Sequence, residues 1–307
     1  MTLIIRFITL LLLSTSALAD SFSVNEIASG VYVHQGVHED LSEGYHGDIS
    51  NIGFIVGKKG VAVIDTGGSL QTGKQLRAAI KNITPLPILY VINTHIHPDH
   101  ILGNEAFVDD HPAFVGHTKL ANAMELRKDA YLRLNKEWLG ADFAASEQNN
   151  QVVKPTQTVE KTLKLDLGGR PLILTAYVTA HTNTDITVLD SKTATLWTGD
   201  LLFIERTPSV DGDIKGWLSV IDQLKSVDAK QVVPGHGTPT KDVKAALDKE
   251  QQYLNILLND IRASIKKGEM MEKTMDTAAT SEKSKWVLFD IVNRRNVNML
   301  YPALEWE

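Results

Sequence analysis

Four side chains of metal-ligand type fall within six residues at His95-Ile96-His97-Pro98-Asp99-His100. Imidazole nitrogen and carboxylate oxygen are the donors Zn2+ takes at catalytic centres, and the chain has no Cys to compete for an ion. In an extended segment, side chains two apart share a face, so His95 and His97 can close on one ion. Asp99 and His100 project differently and can serve a second. The bland alternative is a polar strand-to-helix loop carrying surface histidines. It must also account for three later positions. His181 follows an apolar strand within residues 179–185. Asp200 closes Trp197-Thr198-Gly199-Asp200, which reads as a strand terminus. His236 sits in Pro234-Gly235-His236-Gly237, where glycine lets the backbone turn tightly and bring an imidazole close to a ligand. Each of these alone is as well explained by a structural role. Together, five of the ten histidines fall at strand ends in small-residue turns. The remaining five (His34, His38, His46, His111 and His117) read as structural or surface residues. His46 stays open because a glycine-rich hairpin tip can overhang a site.

The elements that must position these donors follow an α/β pattern. Residues 31–33 and 51–56 read as strands, and a Gly-Lys-Lys-Gly turn at 57–60 returns the chain as 61–64. A helix over 70–83, with Leu76, Ala79 and Ile80 on one face, leads to an apolar strand over 86–93. The histidine motif lies at the carboxyl end of that strand, where α/β sheets gather their ligands. A short strand within 107–117 and a helix over 119–138 follow. Residues 140–151 read as a polar loop over the site. Strands are expected at 163–167, 171–178, 186–189, 195–197 and 231–233, with a helix over 212–227 burying Trp217, Ile221 and Leu224. From Val243 to Ile265 a long apolar helical stripe contains one polar member, Glu250. Residues 269–283 read as a solvated connector before a terminal helix over 286–300. No internal repeat or linker divides the chain.

With 43% apolar and 22% charged residues, the 307-residue chain has the make-up of an ordinary globular protein. Its net charge of −6 argues against a nucleic-acid surface. Residues 1–19 read as a cleavable signal peptide: Arg6, an apolar run from Phe7 to Leu13, then Ala17-Leu18-Ala19. The run is too short for a membrane span, which needs about 20 residues. The expected organisation is a signal peptide over 1–19 and a single domain over 20–307, periplasmic or secreted. Without Cys there is neither lipid attachment nor a disulfide, so packing alone must hold an exported fold together.

His95-x-His97-x-Asp99-His100, followed by His181, Asp200 and His236, resembles the metallo-β-lactamase fold superfamily of metallohydrolases. The strand end Val63-Ile64-Asp65-Thr66-Gly67 and the closing Pro-Gly-His-Gly extend the likeness over nearly the whole chain after the leader. The resemblance implies a four-layer αββα sandwich with two metals in the groove between sheet edges. It implies His95, His97 and His181 on the first metal, Asp99, His100 and His236 on the second, and Asp200 bridging. True β-lactamases usually carry Cys or Ser at the Asp200 position, so the likeness leans toward glyoxalase II, lactonase and related hydrolases. His at position 97, where diiron redox members carry Glu, favours hydrolysis. Residues 200–212, followed by Trp217, are similar to exported SoxH-like zinc metallohydrolases associated with quinoprotein oxidation systems.

The chemistry expected is hydrolysis of an ester, thioester, lactone or amide in a small-molecule substrate. Two zinc ions bridged by hydroxide would supply a nucleophile near neutral pH, with Asp99 orienting it as well as binding metal. Iron or manganese can occupy similar ligand sets. The alternatives are a class B β-lactamase and a non-hydrolytic metal-binding accessory protein of a periplasmic quinoprotein system. Arg206, Tyr45 and Trp138 are candidate pocket residues, with ordinary surface or packing roles the favoured reading, and no Ser–His–Asp arrangement supports Ser209 or Ser219 as a nucleophile.

Overall fold

A computed structural model describes residues 22–42, 45–140 and 152–307. The expected leader over 1–19 and the expected loop over 140–151, Gly140 apart, lie outside these residues. The first sheet has seven strands in chain order: β1 (Asn25–Ala28), β2 (Val31–His34), β3 (Ile52–Val56), β4 (Val61–Ile64), β5 (Ile88–Ile92), β6 (Ala113–His117) and β7 (Gln157–Val159). β3 and β4 form the expected hairpin, pairing Gly53 with Ile64 and Val56 with Val61. From β4 onward the pairs are parallel, and each parallel step needs a crossover. α1 (Leu70–Ile83) supplies the first, its N-terminus capped by the Ser69 hydroxyl accepting from the Thr72 amide. α2 (Pro98–Ile101), with a 3-10 turn over Asn104–Asp110, supplies the second, and α3 (Leu120–Leu139) the third.

The second sheet holds β8 (Thr162–Asp166), β9 (Pro171–Ala176), β10 (Ile186–Asp190), β11 (Thr195–Phe203) and β12 (Gln231–His236) in the order β12-β11-β10-β9-β8. α4 (Ile214–Leu224) makes the parallel crossover from β11 to β12. α5 (Val243–Lys266), α6 (Met271–Thr277) and α7 (Phe289–Leu304) complete the chain. Apolar residues of both sheets, including Ile55, Ile64, Ile92, Leu174, Val188 and Trp197, share the inner core. On one outer face Leu76 and Ile80 of α1 cover Phe54, Val63 and Val91. On the other, α4, α5 and α7 cover β11 and β12 through Trp217, Leu257 and Val297. This is the expected α/β, four-layer αββα sandwich. No helix among the described residues is long and apolar enough to cross a membrane.

Two expectations about local structure are corrected. Residues 269–283 are largely exposed, as expected, but are more than a connector: they form α6 and the start of a 3-10 turn over Thr280–Lys285, and Thr274, Ala278, Ala279 and Glu282 are buried. Small Thr and Ala side chains hide this in the sequence, because they let backbone pack closely without adding apolar bulk. The terminal helix starts at Phe289 rather than 286, since Leu288 takes a left-handed φ of 61°. Glu250, the one polar member of the α5 stripe, faces inward. It accepts the Phe203 amide at 2.7 Å, and burial pushes its carboxyl well above the usual range.

His34 joins the second strand to the loop that leads toward the site. Its Nδ1 faces Ser23 O at 2.7 Å and its Nε2 faces Asp48 Oδ1 at 2.7 Å. Burial disfavours the charged ring, but the Asp48 carboxylate outweighs it and raises the pKa above 6.5. The imidazolium satisfies both acceptors, whereas the neutral ring satisfies one. This contribution to stability is present in full below pH 6.5 and is lost as pH rises through the folded-state pKa. The stability lead of wild type over His34→Gln is therefore expected to shrink as pH rises above 6.5, as read from urea midpoints. A lead that grew with pH would contradict the assignment.

Candidate metal centre

The site is assembled at the loop ends facing one edge of the sandwich. His95 lies in the loop after β5, and His97 caps α2, whose first turn carries Asp99 and His100. His181 follows β9, and His236 ends β12. Asp200 differs from expectation. It lies inside the nine-residue strand β11 rather than at its end, where pairing with β12 loses register on both sides of Gly199. Gly199 takes φ +51°, and that local kink turns the following carboxylate toward the histidines. Pro234 interrupts β12 without cost because β12 is an edge strand. Gly235 is required for another reason: a Cβ there would lie 1.8 Å from Asp200 Oδ1.

All seven expected residues converge in two groups, His95, His97, His181 and Asp200, and Asp99, His100 and His236, each with donor atoms within 4.8 Å of one another. In the first, His97 Nδ1 is 2.9 Å from His181 Nε2, and Asp200 Oδ2 is 3.2 Å from His181 Nε2 and 3.7 Å from His95 Nε2. In the second, Asp99 Oδ2 is 3.5 Å from His100 Nε2 and 3.3 Å from His236 Nε2. Asp200 reaches this group too, at 3.1 Å from His100 Nε2 and 3.4 Å from His236 Nε2. Four donors at about 2.1 Å from a shared centre stand about 3.4 Å apart in a tetrahedron, the spacing found here.

Two further observations fit cations at the centre. His95 Nε2, His100 Nε2 and Asp200 Oδ1 are buried with no hydrogen-bond partner, a cost that coordination would remove. Each ring also has its other nitrogen held by an oxygen. His95 Nδ1 meets Thr94 Oγ1 at 3.0 Å, His97 Nε2 meets Asp211 Oδ2 at 2.9 Å, and His100 Nδ1 meets Asp65 Oδ2 at 2.8 Å. His181 Nδ1 and His236 Nδ1 meet the carbonyls of Ser209 and Ile49, both at 2.7 Å. Those partners set the tautomers, leaving the inward nitrogens as lone-pair donors. Burial and the surrounding imidazoles hold the His95 ring well below 6.5, hence neutral. Burial would likewise lower His100, but Asp200, Asp99 and Asp65 outweigh it and raise it well above 6.5, so the local field favours positive charge.

The sequence signature of the Metallo-beta-lactamase superfamily matches residues 46–236. The chain belongs to the metallo-beta-lactamase superfamily. It is 23% identical over 219 residues to a linear primary-alkylsulfatase from Pseudomonas sp. (strain ATCC 19151), covering 61% of this chain and 41% of that protein. The chain thus spans about two fifths of the length of this curated relative. Among solved structures, a metallo-beta-lactamase from Pontibacter korlensis superposes with a TM-score of 0.59 at 23% identity, covering 76% of this chain and 98% of that one. The inverting sec-alkylsulfatase Pisa1 from Pseudomonas sp. superposes with a TM-score of 0.71 at 18% identity, covering 91% of this chain and 50% of that one. At these identities the structural likenesses establish the fold.

In this superfamily member a cavity of about 500 Å3 opens onto Asp99, Asp200 and His236. Arg206 and Trp138 line it, as two of the three candidate pocket residues, whereas Tyr45 is buried beside Ile49 and Leu139 behind the wall. His46 is exposed and belongs to neither donor group. His34 and His117 are buried at structural positions away from the centre, and His38 pairs with Glu205. Sequence reasoning missed Asp65 as a support, although the residue was in view at a strand end. It adopts φ 52° and accepts from the Thr94 amide at 2.8 Å, the Thr94 hydroxyl at 2.7 Å and His100. An Asp in a strand-end Asp-Thr-Gly is the signal that could have found it. Asp211, Arg127 and Tyr131 carried no such signal.

Proposed function

We propose that this chain is an exported hydrolase whose seven His and Asp residues hold two divalent ions, with zinc the metal best suited to an all-imidazole and carboxylate donor set. The observation that carries this reading is the convergence of seven donors from distant loops into two groups that share Asp200. His95, His97 and His181 would hold the first ion, and Asp99, His100 and His236 the second. Bound ions would lower the pKa of water to about 7 and polarise the oxygen of the scissile group. Asp99 lies on the cavity wall and is kept ionised: His100 and His236 outweigh the effect of its burial. From there it would orient the attacking water. The substrate class favoured is an ester, thioester, lactone or amide small enough for the cavity.

A sulfate ester is a second reading, supported by two observations. The curated relative and one superposed structure are named alkylsulfatases. Arg206, a buried cation on the cavity wall, donates to Glu39 O at 2.6 Å and interacts electrostatically with Asp99 and Asp200. The likeness of residues 200–212 to SoxH-like proteins supports a periplasmic setting beside a quinoprotein system.

The test is turnover of aryl ester, thioester, lactone, alkyl sulfate and chromogenic cephalosporin by the purified protein, beside metal analysis. Turnover of at least one of the first four, lost on chelation and restored by Zn2+, is expected, with little on the cephalosporin because Asp200 replaces the Cys or Ser of β-lactamases. A protein with two ions and no turnover would instead support the non-hydrolytic carrier.

A further inference from the structure

His97 differs from the other four rings of the centre in how its outer nitrogen is held. Three of the others lean on main-chain carbonyls or a hydroxyl, and His100 leans on the buried Asp65. His97 Nε2 instead meets a carboxylate at the cavity surface, Asp211 Oδ2, at 2.9 Å. The same oxygen accepts from Arg127 Nη1 at 2.6 Å, and that Nη1 also donates to the Tyr131 hydroxyl at 3.1 Å. Arg127 and Tyr131 stand one turn apart on α3 and form part of the cavity wall.

The segment bearing Asp211 is itself pinned. Buried Asn296 of α7 accepts the Val210 amide at 2.9 Å and donates to Pro208 O at 2.7 Å. Ser209 O, in the same segment, holds His181 Nδ1. Residues 208–211 thus support two of the three imidazoles of the first donor group, and α3 and α7 brace the segment from outside.

We propose that Asp211 is a positioning residue for His97. It accepts a hydrogen bond from Nε2–H, so that Nδ1 is presented to the first ion, and Arg127 holds its carboxylate in place. A carboxylate in this position fixes both the tautomer and the ring plane and makes the ring a stronger donor. Without it, His97 can rotate or carry its proton on the inward nitrogen. Since Arg127 and Tyr131 face the cavity, the affinity of the first site depends on residues a substrate would touch.

The inference rests on the metal-centre reading, and the experiment separates the two. Apo-protein is titrated with Co2+ against a competing chelator, and the visible spectrum of the loaded protein is recorded for wild type, Asp211→Ala, Asp211→Asn and Arg127→Ala. Wild type is expected to take up two ions. Asp211→Ala is expected to weaken one of the two steps by about 10–100-fold, with a changed Co2+ spectrum and an unchanged melting temperature of the apo-protein. Asp211→Asn keeps an oxygen for the ring proton but loses the charge, and is expected to lie between Ala and wild type. Arg127→Ala should shift the same step in the same direction by less. If Asp211→Ala does not fold, Asp211→Asn decides. Uptake of two ions with wild-type affinity and spectrum by the folded Asp211 variants would overturn the positioning role alone. A wild-type chain that took up no Co2+ would overturn the metal centre itself.

Discussion

Asp200→Ala is expected to abolish measurable turnover and to lower the bound metal from two ions toward one. Asp200 lies within coordination spacing of both groups, 3.2 Å from His181 Nε2 and 3.1 Å from His100 Nε2. Its carboxyl is held well below the usual range because His236, His100, His95 and His181 outweigh its burial. Removing it takes away a shared ligand and leaves Asp99 as the remaining carboxylate of the two donor groups. The loss in kcat should be at least on the order of 10^2–10^3-fold, the scale on which one electrostatic stabiliser of a transition state acts. Gly235→Ala should produce the same phenotype without altering any donor, because its Cβ would lie 1.8 Å from Asp200 Oδ1 and displace that carboxylate. Metal analysis and turnover, measured on both variants, check the prediction. Retention of two ions and wild-type rate by Gly235→Ala would show that the position of Asp200 is unimportant.

The largest expected effect on stability lies at the opposite end of the sandwich. Arg170 and Asp190 are buried and paired at two points, Nε to Oδ1 at 2.9 Å and Nη2 to Oδ2 at 2.6 Å. Arg170 Nη1 also donates to Val56 O at 2.8 Å, so one guanidinium ties the second sheet to β3 of the first. Arg170→Ala strands a buried carboxylate and opens a void between the sheets. Breaking such a pair costs about 3–5 kcal/mol. The low end is expected, because Asp190 keeps its hydrogen bonds from Thr193. The Arg170→Met, Asp190→Leu double variant should recover much of the loss, since it removes the charge together with its partner. Urea unfolding of wild type and both variants measures this. A cost below about 1 kcal/mol for Arg170→Ala would mean that water reaches the pair and screens it.

How far the site was legible in the sequence depended on the kind of residue. The donors advertised themselves: imidazole and carboxylate at strand ends beside Gly and Pro are chemically conspicuous, and their clustering at His95–His100 is local. The strand–helix alternation was legible because its apolar periods differ, as in α1 and the hairpin β3–β4. Asp200 was recognised, but its setting was misread. Trp197-Thr198-Gly199-Asp200 read as a strand terminus, whereas Gly199 is a kink inside β11, because pairing with β12 carries the strand on to Phe203. The 269–283 segment was misread for a related reason: its burial comes from α5 and α7, and nothing in its own composition reports that contact.

By itself the sequence determined which atoms could bind metal, which sheet-and-helix layout could present them, and the superfamily to which that combination belongs. Only the tertiary structure decided how the two halves share Asp200, which nitrogen of each ring faces inward, and which residues hold the outer nitrogens. The physical reason is separation. Asp211 lies 114 positions from His97 and 84 from Arg127, and Ile49 O lies 187 from His236. Ligand identity is a property of a side chain. Tautomer, orientation and shared charge are properties of neighbours that only folding brings within 3 Å of one another.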